Sequence, residues 1–210
     1  MGKVNDVVQI RVVGIGNAGL SAMNRMIEAD IQGIEFLAIA SDKKVLAASK
    51  SATKIRLGNW VSTCTLGSSS EWLAERARKA VHEQRDEIRC LLADTKITII
   101  LCGLGGVTAT GAAPAIADLA RDICVHTIAV VCRPFSFEGA SRDHIAEKGL
   151  KKLASRVDEI ITIPNDKILQ ILGRDTSNFN LFELSDEMMC QTVRCIRSLV
   201  NCLYLKQLYQ

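Results

Sequence analysis

The sequence predicts an α/β fold, a doubly wound and mostly parallel sheet that ends in a long C-terminal helix. Three observations predict it. Short runs rich in Val, Ile and Leu alternate with longer segments of helical periodicity, the order of a parallel sheet with crossover helices. Those runs are apolar at consecutive positions, as strands covered on both faces must be. Two of them end in glycine loops that lead directly into helices.

Residues 7–13 read as the first strand, because β-branched residues dominate and the run stops at Gly14-Ile15-Gly16-Asn17-Ala18-Gly19. After that loop Ala22, Met23, Met26 and Ile27 recur at helical spacing. A second strand over 35–40 stops at Ser41-Asp42, where Asp42 is placed to cap a helix over 43–49. A short apolar piece at 53–57 precedes a polar loop to about residue 70. Leu73, Ala77, Ala80, Val81, Ile88, Leu91 and Leu92 then form one stripe of a single helix, whose other face is charged and solvated.

Residues 96–102 read as a buried strand followed by the second glycine loop, Gly103-Leu104-Gly105-Gly106, and a helix of small residues to about 120. Runs at 126–131 and 159–163 are further strands, each followed by a proline loop and a helix, at 140–155 and 166–172. A final helix from 181 carries Leu184, Met188, Val193, Ile196, Leu199, Val200 and Leu203. At 1.5 Å per residue it spans about 40 Å. The organisation expected is a nucleotide-binding domain over 1–180 and a long core helix over 181–210.

Composition narrows the function. The chain has 210 residues, 48% hydrophobic and 23% charged, which is ordinary for a folded domain and excludes a disordered or low-complexity protein. Its 26 basic and 23 acidic residues leave +3, with the bases interleaved among acids, so nucleic acid is not the expected partner. Nine aromatics, five Phe with two Tyr and two Trp, argue against stacking-based single-strand binding. The eight cysteines lack ligand spacing, so no metal is expected, and their apolar surroundings fit a reduced cytoplasm. No signal-peptide pattern opens the chain. The longest apolar stretch, near 97–107, is interrupted by glycine and falls short of the roughly 20 residues a bilayer span needs.

A G-x-G-x-x-G loop between strand and helix offers backbone N–H groups and the positive helix end to a phosphate. Two such loops on one sheet meet at its carboxyl edge, which points to a ligand with several phosphates. The motifs GIGNAGLSAMNRM at 14–26, GLGGVTATGAAP at 103–114, RPFSFEG at 133–139 and IPNDKIL at 163–169 resemble FtsZ, the bacterial relative of tubulin. The resemblance runs in order from about residue 10 to 199. It implies a Rossmann-like GTP-binding domain with GTP or GDP as cofactor, a role in cell division or the cytoskeleton, and an oligomeric or FtsZ-like partner.

Carried over by residue, the resemblance implies ribose and loop contacts from Glu138 and Arg142, a turn contact from Asn165 and a guanine contact from Asp186. A carboxylate at that last position can accept from guanine N1–H and the exocyclic amine together. On the first loop the implied contacts are Gly16, Asn17, Gly19 and Ser21, where Ser21 replaces the family's guanine-side Asn. The tubulin-like signature GGGTGTG stands here as Gly105, Gly106, Val107, Thr108, Ala109, Thr110 and Gly111. Were Val107 to need positive φ, its β-branched side chain would cost about 1–2 kcal/mol and intrude on the ligand, so weak triphosphate binding is expected. The serines of Leu66-Gly67-Ser68-Ser69-Ser70 either donate to phosphate or cap the helix that follows.

In FtsZ the acids that activate the attacking water come from a neighbouring subunit's loop, just after the long central helix, and the sequence stops at Gln210 before it. The second domain is not seen either. His82, His126 and His144 are isolated, no catalytic triad appears, and the expectation is no catalytic residue and no hydrolysis by the chain alone. Three readings follow: an FtsZ-like assembly module with weak or lost nucleotide binding; a GTP or GDP switch that hydrolyses only with a full-length partner; and an NAD-dependent oxidoreductase using Asp42 as its ribose acid. The third leaves the second loop and RPFSFEG unexplained. The last helix is expected to make an intermolecular contact, and capping or co-assembly is expected over filaments of this chain alone.

Overall fold

A computed structural model describes residues 8–58, 70–172 and 181–208. The serines expected near phosphate at 68–69, together with Cys64, lie outside these residues.

Six strands form one all-parallel sheet: β1 (Ile10–Ile15), β2 (Ile34–Ala40), β3 (Thr53–Arg56), β4 (Ile97–Gly103), β5 (His126–Cys132) and β6 (Glu159–Ile163). Their spatial order is β3-β2-β1-β4-β5-β6. The central strands are buried on both faces, which is why they read as continuous Val, Ile and Leu runs. β6 lies at the sheet edge and alternates exposed and half-buried residues until Ile163.

Helices cover both faces. α1 (Gly16–Glu28), α2 (Lys43–Ala47), α7 (Asn165–Leu172) and α8 (Leu181–Leu208) share one core, in which Met23 and Met26 meet Met189 and Val193. On the other face lie α3 (Ser70–Glu83), α4 (Arg85–Ala93), α5 (Val107–Asp122) and α6 (Ala140–Ala154), where Ala77, Ile88, Ala112 and Ile116 pack together. The long amphipathic stripe over 73–92 belongs to two helices rather than one. They meet at Gln84, whose side-chain amide donates to the Arg56 carbonyl at 2.9 Å and ties the break to the end of β3.

The small-residue character of α5 is a packing requirement. A Cβ on Gly111 would stand 2.0 Å from the Ala74 carbonyl oxygen, so only glycine lets α3 and α5 approach this closely. Gly19 plays the same part for α1 over β4, where a Cβ would stand 2.1 Å from the Leu101 carbonyl oxygen. Among the described residues, no helix is long and apolar enough to cross a membrane.

Candidate functional site

β1 and β4 are neighbours, and their last residues run in register, Ile15 beside Cys102. The helices that leave these two ends cover opposite faces of the sheet. That divergence opens a cleft at the carboxyl edge, of about 500 Å³, within the range of small-molecule sites.

One end of the cleft is built from backbone. Ile15 and Gly106 precede α1 and α5 without a side-chain cap, so first-turn N–H groups that a capping oxygen would take stay open to an anion. Gly105 has φ +88°, and a Cβ there would stand 2.9 Å from the Arg142 carbonyl oxygen, so the turn is closed to any larger residue. Thr110 Oγ1 accepts from the Gly105 N–H at 3.1 Å and fixes that turn against α5. The Thr108 and Ser41 hydroxyls lie 2.8 Å apart and join α5 to the end of β2.

Val107 does not need positive φ. It is the first residue of α5, half-buried and lining the cleft, and the left-handed position falls on Gly105 two residues earlier. Ala109 is buried in the same helical turn. The backbone strain expected at Val107 is therefore absent, and what remains is the bulk of its isopropyl group beside the open N–H groups.

The other end is built from side chains. Asp186 on α8 is buried, and Ser21 of α1 donates its hydroxyl proton to Asp186 Oδ2 at 2.5 Å. Burial pushes the Asp186 carboxyl up to about 6, against the Ser21 hydrogen bond and the Arg25 charge, which both favour ionisation. Ser185 donates to Asn165 Oδ1 at 2.9 Å, which ties the first residue of α7 to α8. Phe182 lines the cleft one helical turn before Asp186, and its ring meets Phe135 edge-on at 5.5 Å. Burial also pushes the Cys132 thiol up to about 11, so it stays protonated.

The RPFSFEG segment forms the rim. Glu138 Oε1 accepts from the Phe135 N–H at 2.8 Å, and Glu138 Oε2 pairs with Arg142 at 3.1 Å. The Ser136 N–H donates to Asp166 Oδ1 at 2.8 Å and pins the segment to the start of α7.

Of the residues expected at the site, Gly16, Asn17, Gly105, Gly106 and Thr108 line the backbone end. Glu138, Arg142, Asn165 and Asp186 line the rest. Gly19, Ser21, Thr110 and Gly111 stand behind the wall: two are packing glycines, and the other two bond to wall residues. Asp42 caps α2 by accepting from the Lys44 N–H at 2.7 Å, so the oxidoreductase reading loses its ribose acid to a structural task. His126 pairs with Asp158 at 3.2 Å at the start of β5, away from the cleft. Sequence reasoning missed Ser41, Arg133, Phe182 and Ser185 in the lining. The i, i+4 spacing of Phe182 and Asp186 was the available signal for one of them.

The two ends of the cleft offer different chemistry. A carboxylate acceptor stands at one end, and a glycine cradle with uncapped helix starts, suited to an anion, stands at the other. The lining acids are Asp42, Glu138 and Asp186, and each already holds a partner. Among the described residues, no three His, Cys, Asp or Glu gather as a metal site.

The family described as Tubulin/FtsZ family, GTPase domain, matches residues 9–173. The cell division protein FtsZ of Pseudomonas putida is 40% identical over 192 residues, 91% of this chain and 48% of that protein. That of Azotobacter vinelandii is 41% identical over 192 residues, again 91% and 48%. Among solved structures, an empty FtsZ dimer from M. jannaschii superposes with a TM-score of 0.81 at 32% identity, covering 92% of this chain and 55% of that one. GDP-bound CetZ1 from Haloferax volcanii gives 0.74 at 22% identity, covering 88% and 58%, and shares the fold. The chain spans about half the length of the curated relatives it matches.

Proposed function

The chain belongs to the Tubulin/FtsZ family, and on that footing we propose that it binds guanine nucleotide in the cleft and serves as an assembly module of a cytoplasmic division or cytoskeletal filament, without turning over GTP alone. The single observation that carries this reading is the pairing, in one cleft, of a buried acid acceptor at Asp186 with two uncapped helix starts at the opposite end.

In this reading Asp186 accepts from guanine N1–H and the exocyclic amine, while Asn165 and Phe182 shape the base end. Glu138 and Arg142, held to each other at 3.1 Å, present polar atoms to the ribose. The N–H groups around Gly105 and Gly106 and the first turn of α5 meet phosphate oxygens, with the helix dipole favouring the negative charge. Val107 crowds this end, so affinity for triphosphate is lower than an all-glycine loop would give.

Among the described residues each lining acid already holds a partner: Asp42 caps α2, Glu138 pairs with Arg142 and Asp186 accepts from Ser21. A second reading is a nucleotide switch that hydrolyses GTP only when an FtsZ-like partner docks over the cleft and brings a further acid. The partner surface also includes α8, where Leu199 and Leu203 are 64% and 62% exposed and Cys195 and Cys202 are exposed beside them.

The test is an equilibrium titration of nucleotide-stripped protein with GDP, GTP, ATP and NAD. The reading expects guanine nucleotides to bind and to displace one another, with ATP and NAD weaker by tenfold or more. Equal binding of adenine and guanine nucleotides, or binding that survives Asp186→Ala unchanged, would contradict it.

A further inference from the structure

Ser21 was expected to touch the nucleotide, yet it stands outside the cleft lining and directs its hydroxyl at Asp186. It is exposed on α1, while Asp186 is 6% exposed on α8, and the bond joins two helices across 165 positions. We infer that Ser21 is a positioning residue: its hydroxyl holds the Asp186 carboxylate ionised and oriented, leaving the remaining lone pairs to face the cleft. The inference rests on the guanine reading only for what those lone pairs accept.

The geometry gives the hydroxyl a specific task. A carboxylate has about four acceptor positions, so one donor from Ser21 leaves room for the two donors of a guanine edge. A buried carboxylate without donors is driven towards its protonated form, in which one oxygen becomes a donor and the acid no longer offers an acceptor to each of two guanine donors. The other groups around Asp186 cannot replace Ser21. Arg25 on α1 favours ionisation but is itself paired with Glu187 at 3.5 Å. Glu183 on α8 opposes ionisation, and the nearby Cys132 on β5 is a neutral thiol. Among the described residues, Ser21 donates a side-chain hydrogen bond to this carboxylate.

Because Ser21 is exposed and in a helix, alanine is well tolerated there, and Ser21→Ala separates position from folding. The first measurement is the carboxyl carbon titration of Asp186 by NMR in nucleotide-free protein, assigned with Asp186→Asn. A hydrogen bond to a charged group carries about a tenfold effect, so Ser21→Ala is expected to raise the Asp186 midpoint by about one pH unit, and Ser21→Thr to restore it. The second is GDP affinity against pH: with the midpoint moved from about 6 to about 7 the ionised fraction at pH 7 falls about twofold, so Ser21→Ala is expected to bind GDP about twofold more weakly at pH 7 and to recover at pH 8.5. An unmoved midpoint in nucleotide-free Ser21→Ala would overturn the role of Ser21. A raised midpoint with GDP affinity unchanged at every pH would overturn its service to the ligand. Failure of the unaltered protein to bind any guanine nucleotide would instead overturn the reading of the cleft, and the nucleotide-free titration would still score the bond.

Discussion

Gly111 sits flush against Ala74: the carbonyl oxygen of Ala74 on α3 occupies the space where a side chain on Gly111 would begin, 2.0 Å from an added Cβ. A glycine that the loop signature assigns to phosphate thus closes a helix crossing. Gly111→Ala is expected to destabilise the fold by about 3 kcal/mol, the upper range for an overpacked core, with the two helices forced apart. Urea unfolding of the variant beside the unaltered protein checks this, and a change below about 0.5 kcal/mol would refute the packing role.

Gly105 makes the opposite case, because its glycine requirement belongs to the cleft. Its φ of +88° and the Arg142 carbonyl beside it exclude a side chain. Gly105→Ala is expected to cost about 1–3 kcal/mol and to weaken GDP binding at least tenfold by reshaping the turn that carries the N–H donors. Calorimetric titration together with thermal unfolding separates the two effects.

Val107 and Ala109 stand where the family signature has glycines, and both are helical here. Replacing both with glycine is expected to strengthen GTP binding by removing the Val107 side chain from the cleft. It should also lower stability, by about 1 kcal/mol at Ala109 and by less at Val107, which is the first residue of α5 and already a weaker helix former than alanine. Unchanged GTP affinity in Val107→Gly with Ala109→Gly would show that crowding is not what limits binding.

The carboxyl of Asp186 predicts a sign. Its folded value, about 6, lies above the ordinary 3.8, so between those values the folded state holds a proton that the unfolded chain has released. Stability therefore falls as pH rises through that window and levels off above it. Asp186→Asn is expected to remove this fall and to leave the nucleotide-free protein about 2 kcal/mol more stable at pH 7.5. Denaturation curves at pH 4, 5, 6 and 7.5 check it, and parallel pH profiles for both proteins would contradict it.

On α8, Leu199 and Leu203 are exposed and apolar, and Arg194 and Arg197 are the charged residues between Met188 and Leu203. Sedimentation of the protein alone and with an FtsZ-like partner is expected to show association, abolished by Leu199→Asp with Leu203→Asp. Since both side chains are exposed, the double variant should keep its stability within about 0.5 kcal/mol. A monomer that ignores the partner and both substitutions would remove the interface.

The sheet was legible because its central strands are buried on both faces, so their composition alone marks them. Boundaries shifted by one to three residues, as at β1, where the strand continues through Gly14 and Ile15 into the loop motif. The break at Gln84 was hidden, since the apolar stripe continues across it and the cause is a hydrogen bond to the distant Arg56. At the site, the motifs fell at both ends of the cleft but could not say which glycines pack and which line it. That distinction depends on what stands 2–3 Å away from each, on segments as distant as α3 and β4. The Ser21 to Asp186 bond was illegible for the same reason: its two ends lie on helices 165 positions apart.

The central claim, that Asp186 reads a guanine base in this cleft, is tested most directly by comparing GDP with IDP, whose base lacks the 2-amino group, in the unaltered protein and in Asp186→Ala. A lost hydrogen bond to a charged group is worth about 1.4 kcal/mol or more, so the unaltered protein should prefer GDP by about tenfold, and in Asp186→Ala the ratio should collapse towards one. A preference of the same size in both proteins would contradict the account, because the amine would then be recognised elsewhere.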